Sequence, residues 1–288
     1  MATGTQIRTY FEGCWHDNNL PIINAADHGA WLGSGVFDGA RSINGLTPDL
    51  AAHCDRVNRS AKAMMLIPTV STDDMVAIVR EGLTAYAPDA AVYIRPMYWA
   101  VDGDASAIVP MSDSTRFAIC LEAIPLAPAS ASITLTRTQF CRPTLDNAVL
   151  NAKAGCLYPN NARMLAEARR KGFANALVAD SMGNVAETAT ANIFLVKDGE
   201  VFTPIANGTF LAGITRARHI TNLRNAGTSV HETVLTFDDF YTADEVFTSG
   251  NMHKVTAVSA FENSHFQLGP ITDKVRQMYW DWAATECG

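Results

Sequence analysis

The 288-residue chain lacks the cysteine spacing of a metal site or a disulfide scaffold. Cys14, Cys54, Cys120, Cys141, Cys156 and Cys287 are scattered with no Cys-x-x-Cys pair, a pattern of buried free thiols in a reducing compartment. His16, His28, His53, His219, His231, His253 and His265 form no His-x-x-x-His or similar pair, so no metal is expected. Positive charge is also short. Lys and Arg number 22 against 29 Asp and Glu, a net charge of -7, and no basic stripe exists to neutralise phosphates, so nucleic acid is not an expected partner. No run of ~18 apolar residues offers a membrane span. Met1-Ala-Thr-Gly-Thr-Gln6 lacks a basic segment followed by an apolar run, which predicts no secretion signal and a cytoplasmic protein. The sequons at Asn58 and Asn207 therefore carry no weight.

What is present is ordinary for a well-buried globular enzyme: 48% apolar and 18% charged residues, in a length that suits one large or two medium domains. Thr5 to Glu12 alternates like a strand, and Asn44-Gly45 marks a two-residue hairpin turn. Helices are predicted from Asp49 to Leu66 and from the capping pattern Ser71-Thr-Asp-Asp74. Ala90 to Ala100 reads as a strand, with Pro96 implying an edge or a bulge. Another strand runs from Phe117 to Ile124. Pro125-Leu-Ala-Pro-Ala-Ser130 is the best linker in the chain, so the expected division is a small N-terminal domain at 1–124, a linker at 125–132 and a large domain at 133–288. The second half holds strands at Ile133–Thr138, Asn175–Ala179, Ile193–Val196, Ser229–Val234, Glu245–Thr248 and Val255–Ala260. Its helices are Tyr158–Lys171, closed by Gly172, and Ile214–Asn225. The class is α+β, with largely hairpin-connected strands.

Three stretches carry chemistry. In Asn151-Ala-Lys-Ala-Gly-Cys-Leu-Tyr158 a lysine stands among small and apolar neighbours. Partial desolvation there would lower its pKa and free an amine to attack a carbonyl, the requirement for a Schiff-base lysine; a solvated loop lysine is the other reading. Leu211-Ala-Gly-Ile-Thr215 opens a helix, whose first N–H groups and positive dipole end suit a phosphate. Glu187 sits in a β-prone run of small residues, either as a satisfied structural carboxylate or as the partner of a protonated ring nitrogen. A reactive lysine, a phosphate clamp and a carboxylate for a pyridinium answer one demand, that of pyridoxal 5'-phosphate.

The chain resembles the fold-type-IV pyridoxal-phosphate aminotransferases over almost its whole length. It is most similar to the branched-chain group, through Gly35-Val-Phe-Asp-Gly39, Tyr93-Ile-Arg-Pro96, Ala152-Lys-Ala-Gly155, Gly213-Ile-Thr-Arg216 and Ala243-Asp-Glu-Val-Phe-Thr-Ser-Gly250. The resemblance implies a two-domain fold: a small α/β N-terminal domain and a larger pseudo-barrel domain carrying the Schiff-base lysine. It implies that Lys153 bonds the cofactor and shuttles a proton, and that Glu187 keeps the ring nitrogen protonated. Tyr158 would donate to the ring's phenolic oxygen and Leu211 would pack on its face. Arg56 would grip the phosphate with Ile214, Thr215 and Asn251; Arg59 is a competitor for the arginine role. Leu32, Phe37, Tyr93, Arg95, Trp99 and Met252 fall where the family reads substrate, with Tyr93 and Arg95 meeting a carboxylate or its mimic.

The implied partners are a small amino donor and a 2-oxo acid acceptor in a ping-pong cycle, and the implied state is a homodimer whose loop at Asp102–Met111 completes the partner's site. Two departures bear on specificity. Leu32 replaces the group's usual tyrosine, and Asn251-Met252 replaces its Thr-Ala. The Arg-x-His of D-amino-acid aminotransferases is absent from the loop. A branched-chain-type amino acid is the leading donor. An (R)-selective amine transaminase and a lyase of the aminodeoxychorismate type are the alternatives on the same fold.

Overall fold

The computed structural model describes residues 4–287. Residues 1–3 and 288, where the expected domains begin and end and where the reading for a secretion signal starts, lie outside the described residues. The chain divides into two compact units. The first holds the described residues up to Leu126, then Asn151–Cys156, then the end of the chain from Glu286; the second holds Ala127–Leu150 and Leu157–Thr285. Lys153 therefore groups with the first unit, whereas its place along the chain suggests the second.

The first unit contains β1 (Thr5–Phe11), β2 (Cys14–His16), α1 (His28–Trp31), β3 (Gly35–Phe37), β4 (Ala40–Ile43), α2 (Leu50–Ala63), α3 (Thr72–Leu83), β5 (Ala91–Ala100) and β6 (Thr115–Ala123). The strands form one antiparallel sheet in the order β2-β1-β6-β5, with β3 and β4 sharing the far side of β5. Ser71 caps α3 by accepting from the Asp74 N–H at 3.1 Å. Pro96 corrects the edge-strand expectation, because β5 is paired on both sides. β3 pairs with residues 97–99 and β4 with residues 91–94, so the missing N–H of Pro96 falls at the break between them. The Asp38 N–H still bonds the Pro96 carbonyl there, at 3.0 Å.

Alternation along β5 separates two faces. Val92, Ile94 and Tyr98 are buried toward the helices, where the Tyr98 hydroxyl donates to Asn58 Oδ1 on α2 at 3.0 Å. Tyr93, Arg95 and Met97 line the other face and are only half-buried.

The second unit contains β7 (Ser132–Arg137), α4 (Tyr158–Arg170), β8 (Asn175–Ala179), β9 (Val185–Thr188), β10 (Asn192–Lys197), β11 (Glu200–Pro204), α5 (Ile214–Asn225), β12 (Val230–Thr233), α6 (Phe237–Tyr241), β13 (Glu245–Gly250), β14 (Lys254–Phe261), β15 (Ser264–His265) and α7 (Pro270–Glu286). Its sheet runs β12-β11-β10-β13-β14-β7-β8-β9, with β15 on β14. Hairpins are not the whole of it. β11 and β12 are parallel and joined through α5, and β7 and β8 are parallel and joined through α4, as parallel pairs need a crossover. Ile193 and Leu195 of β10 enter a core with Phe240 and Phe261, while Phe194 and Val196 enter another with Leu223 and Val275. A sheet covered on both faces explains the unbroken apolar run of β10.

The six cysteines are free, but only Cys54 and Cys120 are buried. Cys14, Cys141 and Cys156 lie exposed, in a hairpin strand, a loop and a 3-10 turn respectively. No helix among the described residues is long and apolar enough to cross a membrane.

His219 of α5 is buried between Phe194 and Tyr279. Its Nε2–H donates to the Lys254 carbonyl at 3.2 Å and its Nδ1 has no partner. Burial pushes its pKa down to about 4; the bond to the Lys254 carbonyl raises it and the Lys254 charge lowers it further. The imidazole thus stays neutral in the folded state while the unfolded chain takes up a proton. Its stabilising contribution is complete above pH 6.5 and lost as the pH falls toward 4, by about 3 kcal/mol. Urea unfolding across that range should show this loss, and His219→Phe should flatten it.

Candidate active site

In the first unit, Asn151–Cys156 is stitched onto β3 and α2. The Lys153 carbonyl accepts from the Phe37 N–H at 3.1 Å, Ala154 forms a β-bridge with Val36, and the Lys153 N–H donates to Ser60 Oγ at 3.0 Å. Ala152 and Ala154 are buried, so small side chains are what let this segment lie against the strand. Lys153 Nζ comes to 5.0 Å from the Phe37 ring centroid.

The β3–β4 break points Asp38 inward, with no exposed surface. Arg56 donates to it twice, from Nε at 2.6 Å and Nη2 at 2.8 Å, and His53 Nδ1–H donates at 2.7 Å. Burial raises the Asp38 pKa, but the charge and hydrogen bond of Arg56, with the help of His53, outweigh it and hold the carboxyl well below its usual range. The guanidinium of Arg56 is consequently braced in one orientation. Arg59 is exposed instead and pairs with Asp55 on its own helix at 2.8 Å. The two candidate arginines thus differ in burial.

The remaining candidates of this unit differ in exposure. Gly39 makes room for Tyr93, since a Cβ there would lie 2.5 Å from the Tyr93 hydroxyl. Arg95 pairs with Glu122. Trp99 is buried, stacked on Phe11, and its N–H donates to Asp27 Oδ2 at 3.1 Å, so it is committed to packing. Leu32 caps the short helix α1 and is half-exposed. Ile108, Val109 and Met111 are exposed on the loop expected to reach a partner, and the Ile108 carbonyl accepts from His28 Nε2 at 3.2 Å.

In the second unit, Glu187 is buried on β9 and pairs with Arg142 Nη2 at 2.9 Å. Arg142 is itself held by the Thr209 carbonyl at 3.2 Å and Asn161 Oδ1 at 2.8 Å. Asn192 links several of the candidates. Its Nδ2 donates to Glu187 Oε2 at 3.4 Å and to the Leu211 carbonyl at 3.5 Å. Its Oδ1 would lie 1.9 Å from a Cβ at position 213, so only glycine fits at the start of α5.

The N-cap of α5, Gly213, makes no side-chain cap bond, which leaves the first-turn amides at Ile214 and Thr215 for another acceptor. Asn192 is the cross-strand partner of Ser249, whose Oγ is buried without a partner. Two residues on, Lys254 Nζ donates to Asn251 Oδ1 at 2.7 Å. A lysine can only donate, so Asn251 turns its Nδ2 away, and that nitrogen too is buried without a partner. Two orphaned donors beside an uncapped helix start fit an anion such as a phosphate. Tyr158 begins α4 and Met252 follows Asn251; both are part-exposed.

Sequence reasoning did not single out Asp38, His53, Arg142, Asn192 or Ser249 as site residues. Asp38 stands inside a quoted motif, which was a usable signal. Arg142 and Asn192 are marked only by their partners in space.

A family model described as amino-transferase class IV matches residues 35–261. An aminotransferase from Brucella abortus, solved bound to PLP, is 55% identical, with a TM-score of 0.95 over 96% of this chain and 99% of that one. A branched-chain aminotransferase from Thermoproteus uzoniensis, solved with norvaline, is 26% identical, with a TM-score of 0.88 over 97% of this chain and 95% of that one. The branched-chain-amino-acid aminotransferase of Escherichia coli K12 is 28% identical over 279 residues, 92% of this chain and 88% of its own length.

Proposed function

Because the chain belongs to the class IV aminotransferases, we propose that it is a pyridoxal-phosphate enzyme moving an amino group between a branched-chain-type L-amino acid and a 2-oxo acid. The observation that carries the cofactor reading is the pair of orphaned donors, Ser249 Oγ and Asn251 Nδ2, with Ser249 opposite Asn192, the residue that abuts the uncapped start of α5 and bonds Glu187 of the Glu187–Arg142 pair. The substrate reading rests on the likeness to branched-chain aminotransferases over most of the chain.

Pyridoxal phosphate, when bound, supplies an electron sink for the bonds at the amino-bearing carbon. The chain's own residues do the rest. The first-turn amides of Ile214 and Thr215, the Ser249 hydroxyl and the Asn251 amide would hold the phosphate, and by the family resemblance Arg56, braced by Asp38 and His53, would add a fixed positive charge. By the family resemblance, Glu187 would hold a proton on the ring nitrogen, Tyr158 would donate to the ring's phenolic oxygen, and Leu211 would pack on its face. Lys153 would bond the cofactor and, once displaced by the donor, Nζ would shuttle the proton removed from the substrate Cα. Phe37 and Tyr93 line the substrate side, with Leu32 and Met252 as apolar walls.

Two half-reactions through one site make the kinetics ping-pong. We further propose a cytoplasmic homodimer in which the loop at 102–111, with its exposed Ile108, Val109 and Met111, completes the partner's site.

The purified holoenzyme should be yellow. L-leucine alone should bleach the band, and a 2-oxo acid should restore it. L-leucine should outpace D-alanine and both enantiomers of 1-phenylethylamine. A faster (R)-1-phenylethylamine half-reaction would replace the substrate reading with that of an amine transaminase, and pyruvate release with no need for a 2-oxo acid would indicate a lyase.

A further inference from the structure

Lys254 closes the short hairpin loop 251–253 between β13 and β14, where it pairs with Gly250. Its φ of 62° is left-handed, a conformation that hairpins of this length ordinarily give to glycine. A lysine is strained there and persists only because its surroundings hold it. Its carbonyl accepts from His219 Nε2–H at 3.2 Å, which ties the hairpin to α5, the helix whose first-turn amides are assigned to the phosphate. Its side chain folds inward: the residue is 1% exposed, and the ammonium lies 5.6 Å from the Tyr279 ring centroid. From that buried position Nζ donates to Asn251 Oδ1 at 2.7 Å, while Asn251 Nδ2 is a buried donor with no partner.

We propose that Lys254 is a positioning residue for the cofactor phosphate, acting through Asn251 by holding the amide with its donor end toward the anion. This rests on the pyridoxal-phosphate reading. Asn251 stands where the branched-chain group has threonine. A threonine hydroxyl donates and accepts through one oxygen and turns to suit its neighbours. An asparagine carries its donor and acceptor on opposite arms of the amide, so it has to be aimed. An ammonium has only protons to give, so it keeps Oδ1 on itself and leaves Nδ2 for an acceptor on the other side. With an apolar side chain at 254, Nδ2 could meet a phosphate only by leaving Oδ1 buried without a donor. The need for a lysine at 254 thus comes with the asparagine at 251.

The test is equilibrium dialysis of the full chain against pyridoxamine 5'-phosphate and against pyridoxamine. Neither has a carbonyl for Lys153 to attack, so the difference between them reads the phosphate contacts. Lys254→Met should weaken binding of pyridoxamine 5'-phosphate roughly tenfold or more and leave pyridoxamine unmoved. Lys254→Leu should do the same, so the outcome does not hang on one variant folding. In the Asn251→Thr background, where the hydroxyl needs no aiming, the effect of Lys254→Met should shrink to about threefold or less. Unmoved binding in the Lys254 variants, an equal loss with pyridoxamine, or a full loss that persists beside Asn251→Thr would each overturn the role of Lys254 alone. A wild-type chain that holds pyridoxamine 5'-phosphate no better than pyridoxamine would instead overturn the phosphate site, and this proposal with it.

Discussion

Lys153→Ala should lower turnover by more than roughly 10⁴-fold while the protein still folds and still retains cofactor. The fold should survive because the segment is held through backbone atoms, the Lys153 N–H on Ser60 and the Lys153 carbonyl on Phe37, and alanine keeps both. The approach of the side chain to the Phe37 ring is worth about 0.5–1 kcal/mol. Cofactor should remain because the proposed phosphate holders, Arg56, Ile214, Thr215, Ser249 and Asn251, are untouched. Gel filtration followed by release of the cofactor in acid measures occupancy, and single-turnover spectroscopy with L-leucine measures the chemistry. Turnover within tenfold of the wild type would remove Lys153 from its role.

Glu187→Gln should reduce kcat by about 10²–10³-fold and weaken cofactor binding by less than roughly tenfold. The expected asymmetry comes from Arg142. In the wild type its guanidinium, 2.9 Å from Glu187, balances the carboxylate. A glutamine leaves that guanidinium in place, still held by Thr209 and Asn161, so a buried positive charge then stands uncompensated near the position assigned to the ring nitrogen. A proton there is opposed rather than held. The phosphate end of the site keeps its donors, which is why affinity should change little. The cofactor's absorbance against pH, read beside steady-state kinetics, checks both halves. Near-normal turnover in Glu187→Gln would overturn the carboxylate's role.

Where local chemistry decides the backbone, the chain could be read directly. β8 and α5 occupy the predicted residues 175–179 and 214–225, because a short apolar run and a Gly-Ile-Thr opening are signals confined to a few neighbours. The turn at Asn44-Gly45 has both residues at positive φ, as that pair favours. Pro96 misled for the opposite reason. A missing N–H excludes a ladder bond at one point, but two short strands meeting at that point let a central strand carry it. α7 is a finding of the structure alone. It buries Val275, Tyr279 and Ala283, yet its sequence mixes aromatic and charged residues without a clear stripe.

The sequence by itself determined the family, and it marked the candidate lysine, carboxylate and helix start, because each is carried by residue types within one short motif. It could not say which partners those groups face. That Asp38 and His53 brace Arg56, that Arg142 balances Glu187, that Asn192 joins β9, β10 and the start of α5, and that Glu122 occupies Arg95 all depend on strand register between distant segments. Register is set by which faces must be buried, a property of the packed sheets and not of any motif. The same holds for Lys153. Its identity is legible in Ala-Lys-Ala-Gly, but its place against β3 and α2 is decided only when the chain leaves one unit, pairs with Val36 and Phe37 in the other, and returns.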